Sequence, residues 1–163
     1  FSKNAGFTGV RLGWTIVPFG LESDNAETGT IHRLWNRRQC TYFNGASNIS
    51  QAGGLMALSE EGRKECRTLV DYYLGNAAII KEGLEKAGLV CYGGVNSPYV
   101  WAKAPRGMGS WEFFDFLLEK AHVVVTPGEG FGKSGEGYVR VSSYGHREDV
   151  EKAVKAIVEH IND

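Results

Sequence analysis

The 163-residue sequence predicts an α/β fold, and three observations carry that expectation. Apolar residues recur at helical spacing over the stretches 59–88, 110–121 and 150–161. Short runs rich in β-branched and aromatic residues lie between them, and turn residues punctuate the whole, with 22 glycines implying many tight turns or close backbone approaches. The order β, α, long α, β, β, α, β, β, α suggests mixed or antiparallel strands covered by helices. A hydrophobic content of 42% with 23% charged residues suffices for a packed core and excludes disordered, collagen-like and coiled-coil classes. The length fits one domain, or a lobe plus a piece of another, and the chain need not be complete.

Taken in order, Val10 to Val17 alternates loosely and reads as a strand running into the Pro18-Phe19-Gly20 turn. Residues 21–30 read as surface loop, and Ile31–Cys40 as a helix broken by Asn44-Gly45-Ala46-Ser47-Asn48. Ser47 or Asn48 caps a second helix through Ile49, Ala52, Leu55 and Met56 to Leu58. Ser59, followed by Glu60 and Glu61, is a further N-cap with acids favourable to the helix dipole. Its helix places Leu69, Val70, Tyr73, Ala77, Ile80 and Leu84 on one stripe and stops at Gly88.

Leu89–Cys91 and Tyr99–Ala102 read as short strands around the Gly93-Gly94 and Ser97-Pro98 turns. Ser110 is expected to cap a helix that turns Phe113, Phe114, Leu117 and Leu118 inward and ends before a strand His122–Val125. The glycine-rich segment PGEGFGKSGEG precedes the strand YVRVSS, and a final helix sets Val150, Ala153, Val154, Ile157, Val158 and Ile161 on one stripe.

A formal net charge of −1 supplies no electrostatic reason to expect nucleic acid or an anionic membrane, and Arg33, Arg37 and Arg38 read as a solvated helix face. Cys40, Cys66 and Cys91 are odd in number and far apart, with no metal-ligand spacing, so reduced thiols and no metal are expected. No stretch approaches a membrane span, and the first residues lack the features of a signal peptide.

Gly130-Phe131-Gly132-Lys133-Ser134-Gly135 fits a dinucleotide-binding GxGxxG literally, and Gly132-Lys133-Ser134 resembles the end of a P-loop. Both motifs need a helix directly afterwards, whose amides meet the phosphates; a strand follows here, which favours glycine-rich turn chemistry. In YVRVSS, alternation puts Val139 and Val141 on one face and Tyr138, Arg140 and Ser142 on the other. Arg140 is then either an ordinary solvated charge or a rigidly mounted guanidinium fork for a carboxylate. Lys3 is either a solvent-exposed terminal lysine or one whose amine condenses with a carbonyl; Arg11 and Ser2 are available to a phosphate nearby.

The stretch Ser2-Lys3-Asn4-Ala5-Gly6-Phe7-Thr8-Gly9-Val10-Arg11-Leu12-Gly13-Trp14 resembles the pyridoxal-phosphate lysine signature of the class I/II aminotransferases, a fold-type-I family. Tyr42–Gln51 and Gly137–Arg147 sharpen the resemblance toward members that act on a diamino dicarboxylate in lysine biosynthesis, with alanine- or aspartate-type members as the alternative. The resemblance covers essentially the whole chain and implies the carboxy-terminal portion of such an enzyme, starting just before the cofactor lysine. It implies the end of the large cofactor-binding domain over 1–58, a long connecting helix over 59–88 and the small α/β domain over 89–163. It further implies pyridoxal 5'-phosphate as cofactor, with Lys3 carrying it and moving the proton, and with Ser2 and Arg11 at its phosphate. Arg140 would take the substrate α-carboxylate, and Asn44 would lie by cofactor or substrate, reaching in from a neighbouring subunit. Amino-acid and 2-oxo-acid substrates, a homodimer, and a cytoplasmic or, in a plant or alga, plastid location follow from the same resemblance. The portion on its own is expected to be inactive, since other cofactor contacts of the family precede the lysine.

Overall fold

The computed structural model describes residues 1–161. Its elements are α1 (Thr30–Tyr42), α2 (Asn48–Leu58), α3 (Glu60–Lys86), β1 (Cys91–Gly93), β2 (Tyr99–Lys103), α4 (Ser110–Ala121), β3 (Thr126–Pro127), β4 (Tyr138–Ser142) and α5 (Arg147–His160). The chain divides into two compact units, Phe1–Leu69 and Val70–Asp163, with the division inside α3.

In the first unit the helix starts are set by hydroxyls. Ser47 accepts the Ser50 amide at 3.2 Å to cap α2, and Ser59 accepts the Gly62 amide at 3.0 Å to begin α3, as the sequence predicts. A side chain at Gly62 would run into the Met56 carbonyl, so the sharp α2–α3 junction requires glycine there. α1 buries none of its residues, and Arg38 lies over the Tyr42 ring, so the arginine face is indeed exposed. The strand expected over Val10–Val17 is absent. A strand exists only through a ladder with a second backbone, and no described strand pairs with this segment, which leaves Trp14 and Ile16 exposed.

The second unit contains one antiparallel sheet in the order β1-β2-β4-β3. Val100 and Ala102 of β2 pair with Val141 and Val139 of β4, and this face meets Ala77, Ile80 and Leu84 of α3, Phe113 and Leu117 of α4, and Val150 and Ile157 of α5 in one core. The opposite face carries Tyr99, Trp101 and Arg140, with Trp101 directly across from Arg140. Phe114 packs against the core while Leu118 stays largely exposed, so the inward stripe of α4 is narrower than its sequence suggests.

Two further expectations are corrected. α4 ends in a left-handed His122, φ 55°, with the Val123 amide on the Leu117 carbonyl at 3.1 Å, so no strand starts at His122; pairing begins only at Thr126. Ser110 is the first residue of α4 rather than its cap: the Glu136 carboxylate accepts the Ser110 amide at 3.0 Å, while the buried Ser110 hydroxyl donates to the Gly135 carbonyl at 3.2 Å. An acid distant in sequence therefore performs the capping.

Asn76 is fully buried on the apolar stripe of α3. Its Nδ2 donates to the carbonyls of Ser143 and Gly145 at 3.1 and 3.0 Å, and its Oδ1 accepts from Arg147 Nε at 3.1 Å. Asn76→Leu keeps the bulk but strands these partners, and should destabilise the second unit by about 2–3 kcal/mol. Urea unfolding followed by tryptophan fluorescence checks this, and a cost below about 0.5 kcal/mol would show that the bonds add nothing net.

The Cys91 thiol is buried, which pushes its pKa up to about 11; Glu85 adds to the rise and Lys81 opposes it. At pH 8 an alkylating reagent should therefore modify exposed Cys40 well before Cys91. Because the folded value is raised, the thiol's contribution to stability is complete below its unfolded value of about 8.5 and is lost as pH rises toward the folded one. The urea midpoint should fall between pH 8 and pH 10.5, and fall less in Cys91→Ala.

Candidate active site

Residues 1–12 form a loop closed on itself. The Phe1 carbonyl accepts the amides of Ala5 and Phe7, both at 3.2 Å. The Phe7 carbonyl accepts the amides of Val10 and Arg11, and the rings of Phe1 and Phe7 stack at 5.8 Å. α2 supports the loop: Ser50 Oγ donates to the Val10 carbonyl at 3.2 Å, Phe7 lies against Gly53, and a side chain at Gly54 would run into Leu12. Two adjacent glycines are poor helix formers, and here they allow the loop to settle onto the helix.

This loop carries Ser2, Lys3 and Arg11 together. Ser2 is half-buried and its carbonyl accepts from the Thr8 hydroxyl at 2.9 Å, while the Lys3 side chain is exposed. Arg11 adopts a left-handed backbone, φ 63°, and its Nη1 donates to the Thr8 carbonyl at 2.5 Å. A non-glycine residue in that region is unfavourable by about 1–2 kcal/mol and persists only where its surroundings fix it. Arg11 also lines a cleft of about 870 Å³ together with Leu12, Trp14, Trp35, Phe43 and Leu55; Ser2, Lys3 and Asn44 do not. Asn44 is exposed between the end of α1 and Gly45, φ 100°.

Arg140 belongs to the second unit and is half-buried, with its guanidinium between aromatic rings. Its guanidinium carbon lies 4.3 Å from the ring centroids of both Tyr99 and Phe131, and its Nε is buried with no hydrogen-bond partner among the described residues. Behind these rings, Trp101 meets Phe131 edge-on at 5.3 Å, and Tyr144 meets Tyr99 at 5.6 Å and Tyr73 at 4.8 Å. Burial holds the Tyr144 phenol well above its usual range, the neighbouring Tyr99 and Tyr73 phenols add to the rise, and the Arg140 cation opposes it. A buried donor without an acceptor is unfavourable, and a carboxylate is the acceptor best matched to a guanidinium.

The glycine-rich segment does not open a helix. It makes two 3₁₀ turns, Gly128–Phe131 and Lys133–Gly135, and leads straight into β4. Gly128 and Gly135 meet backbone to backbone, so neither tolerates a side chain. The nucleotide motifs are thus coincidental. Sequence reasoning missed Tyr99, Phe131 and Asn76; an aromatic between two glycines and a lone amide on an apolar stripe were the available signals. Among the described residues no group of three or more metal-ligating side chains converges, and no helix is long and apolar enough to cross a membrane.

The family model for aminotransferase class I and II matches residues 1–157. The chain is 52% identical over 159 residues to an LL-diaminopimelate aminotransferase of Bacteroides fragilis, covering 96% of this chain and 39% of that protein. It is 53% identical to the enzyme of the same name from Prochlorococcus marinus, covering 97% and 39%. Among solved structures, the L,L-diaminopimelate aminotransferase of Chlamydomonas reinhardtii superposes with a TM-score of 0.88 at 48% identity, over 95% of this chain and 37% of that one. The chain thus spans about two fifths of the length of these relatives, and its fold is the fold-type-I aminotransferase fold that the lysine signature implied. By a family model that spans nearly its whole length and by relatives identical at half of its positions, the chain belongs to the class I and II aminotransferases.

Proposed function

We propose that this chain is part of a pyridoxal-phosphate-dependent aminotransferase that moves an amino group between LL-2,6-diaminopimelate and 2-oxoglutarate in lysine biosynthesis. The observation that carries the reading is Arg140, a guanidinium set against two aromatic rings, whose buried Nε has no hydrogen-bond partner among the described residues. The relatives named LL-diaminopimelate aminotransferase, at 52–53% identity, support diaminopimelate as the amino donor.

The residues present fit the cofactor by the chemistry of their donors: one closed loop offers an amine at Lys3, a guanidinium at Arg11 and a hydroxyl at Ser2. When bound, pyridoxal phosphate supplies an aldehyde that condenses with amines and a ring that accepts the electron pair released at a substrate Cα. Lys3 would hold it through Nζ and, once freed, remove and return the proton at the substrate Cα. Arg11 and Ser2 would bind the phosphate, and the exposed amide of Asn44 would contact cofactor or substrate. Arg140 would bind the α-carboxylate shared by the amino acid and the 2-oxo acid. The intact enzyme would be a homodimer in the cytoplasm, or in the plastid of a plant or alga.

In the intact enzyme, Lys3→Ala should lower turnover on the order of 10⁴-fold or more, because the proton shuttle is lost with the amine. Borohydride reduction followed by mass spectrometry should find the reduced cofactor on Lys3; a label on Lys81 or Lys133 instead would overturn the assignment. Arg140→Lys should raise the KM of amino acid and 2-oxo acid alike by roughly 10- to 100-fold, since a point charge cannot reproduce a bidentate fork. Unchanged KM values for both substrates would refute the role of Arg140.

A further inference from the structure

We infer that Phe131 and Tyr99 are positioning residues for the substrate-carboxylate arginine, and that the glycine-rich segment 128–137 serves to hold Phe131 over the guanidinium; this rests on the reading of Arg140 as a carboxylate fork. An arginine side chain rotates about four bonds, and a bidentate contact needs the plane of the fork fixed before the ligand arrives. Hydrogen bonds do not fix the stem of this fork: the buried Arg140 Nε has no hydrogen-bond partner among the described residues. The two rings supply the restraint. Each lies 4.3 Å from the guanidinium carbon, well inside the range of a cation over an aromatic face.

Tyr99 comes from the adjoining strand β2, whereas Phe131 comes from the loop, and the loop is shaped accordingly. Gly128 and Gly135 close its neck at a distance that excludes any Cβ, and Gly132, φ 109°, turns the chain immediately after Phe131. Ser110 and Glu136 clasp the neck to the start of α4. Trp101 supports the Phe131 ring edge-on. Phe131 remains 49% exposed, so its ring contributes little to the core and its placement over Arg140 is the contact that accounts for it.

The test uses the full-length holoenzyme and glutarate, a dicarboxylate that cannot react, with affinity measured by titration calorimetry beside steady-state kinetics. Phe131→Ala should weaken glutarate about tenfold and raise the KM of both substrates by a similar factor, with kcat at saturation within about twofold. Phe131→Tyr should restore the affinity, and Phe131→Leu, which keeps bulk without a ring face, should not. In an Arg140→Gln background, Phe131→Ala should change glutarate affinity by less than about twofold, because the ring acts only through the guanidinium. A full tenfold loss in that background, an unchanged affinity in Phe131→Ala, a wild-type affinity in Phe131→Leu, or a fall in kcat at constant KM would each overturn the inference. Arg140→Gln on its own separates the two readings: if it leaves glutarate binding unchanged, the carboxylate role of Arg140 fails, and if it weakens binding while Phe131→Ala does not, only the positioning role fails.

Discussion

The second unit depends on one buried amide. Asn76 sits at the middle of the apolar stripe of α3, where an unpaired polar group would be costly, and it is satisfied by the Ser143 and Gly145 carbonyls of the turn that follows β4 and by the Arg147 guanidinium at the start of α5. That turn is tied in the other direction as well: the Ser143 amide and hydroxyl both donate to the Pro98 carbonyl at 3.0 Å, just ahead of β2. Helix, turn and both central strands thus meet at one point. The register that follows sets Trp101 across from Arg140 and brings Tyr144 against Tyr99. Apolar packing would hold the layers together without fixing this register; the amide supplies the specificity.

Glycine does comparable work in both units, through close approach rather than through phosphate binding. In the first, Gly53 and Gly54 let the loop that carries Lys3 and Arg11 rest on α2. In the second, Gly128 and Gly135 close a loop neck that no side chain fits. In both cases the backbone comes near enough for the loop's shape to be set by contact, which is what a site built on loops needs for precision.

The helices were legible in the sequence because their information is local: a stripe of period 3.6, a serine before it, acids in the first turn. Ser47 and Ser59 cap as expected for that reason. The strand edges were less so, and the misses share a cause. Val10–Val17 has strand composition, yet pairing is a property of two backbones. His122 ends α4 in a left-handed turn that no propensity at that position announces, and the cap of α4 comes from Glu136, 26 residues beyond Ser110. The alternation in YVRVSS placed Arg140 on the correct face but left its role open, because what distinguishes a solvated arginine from a clamped one is supplied by Tyr99 and Phe131. The loop of Ser2, Lys3 and Arg11 was legible only through family resemblance, since its closure rests on backbone bonds that the residue types do not encode.

The clasp between Ser110, Gly135 and Glu136 ties the first turn of α4 to the loop over Arg140. Helix ends are among the first parts of a protein to open, with free energies far below that of global unfolding. Here one such end is not peripheral. Each opening of that turn releases the neck of the loop, so the local stability of a helix terminus sets how firmly Phe131 is held over Arg140. Mild heating or low denaturant would then loosen the contact of Phe131 with Arg140 while the core of Val100, Phe113 and Val139 stays intact. The order of that aromatic contact would be decided at a helix end rather than in the core.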